Sequence, residues 1–303
     1  MVKHTILWAA VAGLVLALGG TANAGMLWYS TANNVNIDLV TSWNSQTGGG
    51  GVSPTAMPTA PGDTDIWVIQ KGHRIKVAPA DGTFYGGTIQ IDISGTNDGE
   101  LLAWRRNFTV QDVVLNGGAI NSGDTDGKKI TGGTLTLNSG IIGVEMASLA
   151  KTVQYAFGTY TGDGDIVVQP RNNGAPGTTS YYGGLRFVDG GDFSTFTGSF
   201  DIWLGATLGF GYNITTGTFD LKIDGTAGTN RARFELVNNV TVTSLTLGTE
   251  SIAPGTYSFA DFTGDQQAFF KDSGGTITVV PEPATMALMG LGGLGLILGR
   301  KRK

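Results

Sequence analysis

The stretch GGTIQIDIS, residues 86–94, alternates with period 2: Ile89, Ile91 and Ile93 fall on one face, Gln90 and Asp92 on the other. Successive side chains of a strand point to opposite faces, whereas a helix returns its apolar residues every three or four positions. The stretch therefore reads as a half-buried strand behind a Gly-Gly turn signal. The same pattern recurs. GGTLTLNSG (132–140) puts Leu135 and Leu137 on one side, and TFDLKIDG (218–225) does so with Phe219, Leu221 and Ile223. RFELV, VTVTSLTLG and GGTITVV carry it on to residue 280. Only IIGVEMASLAKTVQYAF (141–157) leaves room for a short helix, expected over residues 144–151. The fold class is all-β, with Ile89, Ile91, Leu135, Leu137, Leu221 and Leu247 expected in one shared core.

Glycine, at 49 of 303 residues, is about twice its usual ~7% and has no collagen-like period. With Thr, Asn and Asp around it, it marks many tight turns. GGTIQI, GGAI, GGTLTL and GGTITV start at 86, 117, 132 and 274, spacings too irregular for a strict repeat. Short strands between glycine corners fit a right-handed parallel β-helix, set modestly ahead of an antiparallel β-sandwich.

The two ends differ from this body. MVKHTILWAAVAGLVLALGGTANAG has one cation (Lys3), an apolar run from Ile6 to Leu18, and small residues ending Ala22-Asn23-Ala24. That is a secretory signal peptide spanning 1–24, cut by signal peptidase between Ala24 and Gly25. The body is assigned to residues 25–279. At the far end, VPEPATMALMGLGGLGLILGRKRK (280–303) sets Pro281-Glu282-Pro283 before a short apolar stretch and Arg300, Lys301, Arg302 and Lys303. The prolines stop the preceding strand and are incompatible with a helix. Residues 284–298 give about 22 Å as a helix, short of the ~30 Å hydrocarbon layer, and the basic cluster is a cytoplasmic stop. The two apolar segments are expected as single helices outside the β domain.

Lys3 and the four basic tail residues apart, the 19 Lys+Arg against 24 Asp+Glu leave the body near −10. An acidic exterior without a basic stripe repels phosphate backbones, so nucleic acid is not an expected partner. With no cysteine, the exported protein is held by its core and hydrogen bonds.

The order proline, acid, proline, span and basic end closely resembles the PEP-CTERM sorting signal over about 23 residues. The resemblance implies an exosortase, an integral membrane cysteine protease, that recognises Pro281-Glu282-Pro283 and cuts nearby. It also implies transient anchoring in the inner membrane of a Gram-negative, exopolysaccharide-making host, and a role at the cell surface or in matrix or biofilm. A permanent anchor is the alternative. PGDTDIWVIQKGHRIKV (61–77) resembles the opening coil of bacterial surface β-helices. FSTFTGSFDIWLGATLGFG (193–211) resembles autotransporter-associated β-strand repeats, and NNVTVTSLTLGTESIAPGTYSF (238–259) the closing segment of such passengers. These resemblances imply architecture, not chemistry.

No catalytic residue and no metal site are expected. His73 is the body's one histidine and no G-x-S-x-G elbow surrounds a serine, which leaves a Ser-His-Asp triad without its usual setting. A Cys/His pair and a His-rich zinc site are excluded. The pairs Asp63/Asp65, Asp124/Asp126 and Asp163/Asp165 read as turn-closing residues, with weak calcium binding the one cofactor considered. Trp28, Tyr29, Trp43, Trp67, Trp104, Tyr181, Tyr182 and Trp203 are candidates for sugar stacking; Trp67 and Trp203 are expected in the core, and Tyr181-Tyr182 offer the best exposed pair. The reading is a non-enzymatic surface or matrix protein, associated with exopolysaccharide. The alternatives are a polysaccharide lyase or hydrolase using acidic residues with Arg105-Arg106, and a carbohydrate-binding module.

Overall fold

The computed structural model describes residues 25–280, apart from 48–49, 71, 78–80, 93–98, 105, 124–126, 146–151, 171–182, 204, 216–217 and 225–231. The expected signal peptide, the tail from Pro281 onward, Ile93, Arg105, Asp124, Asp126, Tyr181 and Tyr182 lie outside the described residues, as do both expected apolar helices.

The body is all-β. Among the described residues, twenty strands are joined by hydrogen bonds into one sheet, and a second sheet has three strands. Among them, pairing is parallel except between Leu27–Ser30 and Trp43–Asn44, Ser244–Leu247 and Glu250–Ser251, and Gly255–Ser258 and Thr276–Val279. An antiparallel sandwich pairs its neighbouring strands in opposite directions; here neighbours run the same way.

The registers sort the parallel strands into three ladders. In the first, Trp28 pairs with Trp67, then Ile89, Val113, Leu135 and Tyr160 follow rung by rung. In the second, Ile75, Leu101, Ile120, Ile142, Val168, Ile202, Ile223 and Leu247 succeed one another. In the third, Phe108, Ile130, Tyr155, Phe187 and Phe210 do so. Each of these side chains is buried, and all belong to one hydrophobic core. Neighbouring strands lie about 4.8 Å apart, so like side chains stack in continuous apolar columns that exclude water along the body. The six core residues expected from alternation are all inside it.

Single long strands feed several ladders. Gly82–Asp92 contributes its first part to the third ladder and its second to the first, bending at Gly86-Gly87. A Cβ on Gly86 would lie 2.4 Å from the Phe84 ring, and one on Gly87 2.6 Å from the Asp65 carbonyl oxygen. A corner this close to the rung below has no room for a side chain. The corner between the first and second ladders is tighter: a Cβ on Gly164 would come 1.6 Å from the Asn138 carbonyl oxygen, and one on Gly198 2.0 Å from that of Gly164. At these corners glycine is thus a packing requirement.

One expectation is corrected. The strand Lys129–Glu145 continues through residues 144 and 145, where a helix was expected. Val144 pairs with Ser122 on one side and Pro170 on the other, so the ladder on both flanks overrides the local apolar pattern. Residues 146–151 lie outside the described residues. Among the described residues helix is confined to short turns such as Gly264–Gln267, and none is long and apolar enough to cross a membrane.

Candidate functional site

The body's C-terminal boundary is built from the strand Thr276–Val279, central in the three-stranded sheet between Val240–Val242 and Gly255–Ser258. Ile277 and Val279 point inward and are buried. Asn239 Oδ1 accepts from both the Thr276 amide, at 3.2 Å, and the Thr276 hydroxyl, at 2.9 Å. The last described backbone bond runs from the Val280 amide to the Val242 carbonyl, at 3.0 Å. Pro281, the first residue of the acid-proline motif, follows with no intervening linker.

The N-terminal boundary is equally abrupt. Asp65 accepts the Met26 amide at 2.7 Å and the Trp28 indole N–H at 2.7 Å, one residue past the expected cut at Ala24/Gly25. Asp63 accepts the Trp67 indole N–H and the Gly87 amide, each at 3.2 Å. Asp63 also accepts the Asp65 amide at 3.2 Å, the turn-closing bond expected of the pair, which therefore anchors two indoles and three backbone amides. The ring cluster corrects an expectation: Trp28, held by Asp65, and Trp43, whose indole N–H donates to the Ile37 carbonyl at 2.9 Å, are not exposed platforms but are buried with Trp67 and Phe84, at centroid distances of 5.1 to 6.4 Å. Trp203, expected in the core, is only partly buried, and its indole N–H has no hydrogen-bond partner.

His73 sits where a turn histidine was expected. Its Nδ1 lies 2.8 Å from the Ser30 hydroxyl, which also accepts the Gln70 amide at 2.9 Å. Ser30 is 1% exposed and His73 partly buried, so the pair reads as a polar brace rather than a reachable nucleophile.

Among the charged groups on the outer side of the described ladders, two clusters are drawn together by the register. On the second ladder, Asp165, Ser199, Asp220 and Ser244 form one column, with Asp201, Lys222 and Thr246 beside it. Together they line an open groove of about 360 Å³. Its groups are mutually engaged: Ser199 donates to Asp165 and Ser244 to Asp220, both at 2.7 Å, and Lys222 Nζ lies 3.1 Å from Asp201 and from Asp224. Partial burial works against the Lys222 charge, but the carboxylates of Asp224 and Asp201 outweigh it and raise its pKa. Among the described residues no group of three or more acidic or histidine side chains is arranged to hold a metal ion.

On the third ladder, Glu235 is 4% exposed, with Arg186 on one oxygen and Lys271 on the other. Gly209 lies between Arg186 and Glu235 in register, and its missing side chain leaves room for the carboxylate. Burial pushes the Glu235 pKa up, but hydrogen bonds and charge from Lys271 and Arg186 prevail and hold it below the ordinary value. A depressed carboxyl contributes stability that is complete above its unfolded pKa, about 4.3, and lost as pH falls through the folded one. Glu235→Gln is expected to cost about 2 kcal/mol at pH 7, since two cations lose a buried partner while keeping access to water. Melting curves from pH 7 to pH 3 check this: the gap between wild type and variant should narrow in acid, and a constant gap would refute it.

No characterised protein and no solved structure is significantly similar to the chain. Residues 279–303 match the PEP-CTERM protein-sorting motif, beginning on the last residue of the final strand, and this motif indicates sorting by exosortase, a membrane protease, to the cell envelope.

Proposed function

We propose that the chain is an exported, non-enzymatic protein of the cell surface or extracellular matrix, associated with exopolysaccharide and released to its place by exosortase cutting at Pro281-Glu282-Pro283. The observation that carries this reading is the sorting motif directly abutting a completed all-β body. We further read the body as a right-handed parallel β-helix. Three parallel ladders with continuous apolar columns support it, and right-handedness is the rule for parallel crossovers. The structural role over an enzymatic one is supported by the groove, where Ser199 bonds Asp165, Ser244 bonds Asp220 and Lys222 takes one oxygen of Asp201.

Glu282 is the residue read by the protease, because a carboxylate between two prolines is held extended and cannot be hidden in a helix. Intact-mass measurement of the protein from its native host tests the reading. Wild type should lack the apolar stretch and Arg300–Lys303, and Glu282→Ala should retain both in the membrane fraction. Wild type ending at Lys303 would mean a permanent anchor. The same purified wild-type protein should release no reducing ends or unsaturated uronates from a polysaccharide panel; reproducible release would overturn the non-enzymatic part.

A further inference from the structure

We propose that the body carries a self-association surface: the acidic face of the second ladder receives the cationic face of the third ladder from a second copy of this chain, side against side. The matrix reading above does not require this contact and would stand without it.

The register puts opposite charges on different faces. On the outer side of the second ladder, Asp165, Asp201, Asp220 and Asp224 surround Lys222, and four carboxylates against one ammonium leave that face at −3. On the outer side of the third, Arg186, Gly209, Glu235 and Lys271 form one column, with Arg233 two residues from Glu235 on the same strand. Three cations against one carboxylate leave this face at +2.

Neither excess is neutralised inside the fold. Glu235 is shared by Arg186 and Lys271, the latter at 2.6 Å. Among the described residues no carboxylate reaches Arg233, whose Nε has no hydrogen-bond partner. On the acidic face Lys222 takes one oxygen of Asp201 and leaves the other, Oδ1, without a partner. Asp165 and Asp220 are exposed, and among the described residues they are bonded by hydroxyls alone.

The two ladders back onto one core and look outward in different directions, so one molecule cannot close this pair on itself. Two copies can. Every ladder climbs by about 4.8 Å per rung, whichever face it lies on. Asp165 and Asp220 are two rungs apart, and so are the strands of Arg186 and Arg233. Copies laid parallel therefore meet with matched charge spacings, and complementary potentials across such a contact fix partner and register. The contact takes a different patch from each copy, so it leaves one patch of each kind open and repeats into a row. The body's net charge near −10 opposes this at a distance, but salt at about 0.1 M screens beyond about 10 Å and leaves contact pairs in force.

Sedimentation of the purified wild-type protein decides the matter. Its weight-average mass should rise with protein concentration at about 0.1 M salt and return to the monomer at about 1 M, where the screening length is about 3 Å. Arg233→Gln with Lys271→Gln strips the cationic face, and Asp165→Asn with Asp220→Asn the acidic one. Each double variant alone should associate about tenfold more weakly than wild type or worse. An equimolar mixture of the two should form one discrete dimer, since each supplies the face that the other lacks. Wild type that stays monomeric at about 0.1 M salt, or associates equally at about 1 M, overturns the proposal without any variant. Association that either double variant retains in full also overturns it, by placing the contact elsewhere. A monomer that assembles only when polygalacturonate is added gives the cationic face to an anionic glycan instead and likewise refutes the proposal.

Discussion

Leu135→Asp is expected to unfold the middle of the body, lowering stability by about 4 kcal/mol or more and the melting temperature by about 10 °C. Leu135 is 0% exposed and stands between Val113 on one rung and Tyr160 on the next. A carboxylate there has no cation within its column, so it must either be buried unpaired or drag its strand out of register. Leu135→Met, which conserves volume, should cost less than about 1.5 kcal/mol and separates the charge effect from repacking. Thermal melts of the exported protein and both variants check the prediction. An aspartate variant that melts with wild type would mean the column is not continuous there.

Phe193→Ala carries the second large effect, about 3–5 kcal/mol. The Phe193 ring stacks on Tyr160 at 4.1 Å and 10°, and meets Phe187, Phe210 and Phe219 at 5.2, 5.4 and 5.8 Å. These neighbours are fully buried and come from different rungs, so none can move into the space without disturbing its own ladder. The Tyr160 hydroxyl is fixed as well, donating to the Tyr155 carbonyl at 3.0 Å and accepting the Phe157 amide at 3.1 Å. The void therefore persists. A loss of under 1 kcal/mol in denaturant unfolding would show that the cluster collapses freely.

Alternation named the inward face of these strands correctly because it is a local property: Ile89, Ile91, Leu135, Leu137, Leu221 and Leu247 all reach the core. Which strand meets which was not legible. The partners Ile75, Leu101, Ile120 and Ile142 are separated by unequal stretches, and the loops that absorb the difference erase any fixed period. The Gly-Gly signals were legible as bends but not as the joints between ladders, which only the rung beneath reveals. Trp28 and Trp43 read equally well as sugar platforms or core; that Asp65 takes the Trp28 indole and that Trp43 packs edge-on against Trp67 is decided by residues distant in sequence. The tail was the reverse case: an address is written in residue order, so its chemistry could be read without a fold.

Parallel rungs leave a hazard at each end of a stack, where an unpaired strand can recruit the next molecule. The chain turns back on itself at two such places. Trp43–Asn44 takes the outer edge of Leu27–Ser30, and Glu250–Ser251 takes that of Ser244–Leu247, each in the opposite direction. A reversed strand presents the wrong hydrogen-bond spacing for another parallel rung. Those two edges are therefore closed to a further parallel rung, so a second molecule cannot extend these ladders there by the pairing that built them.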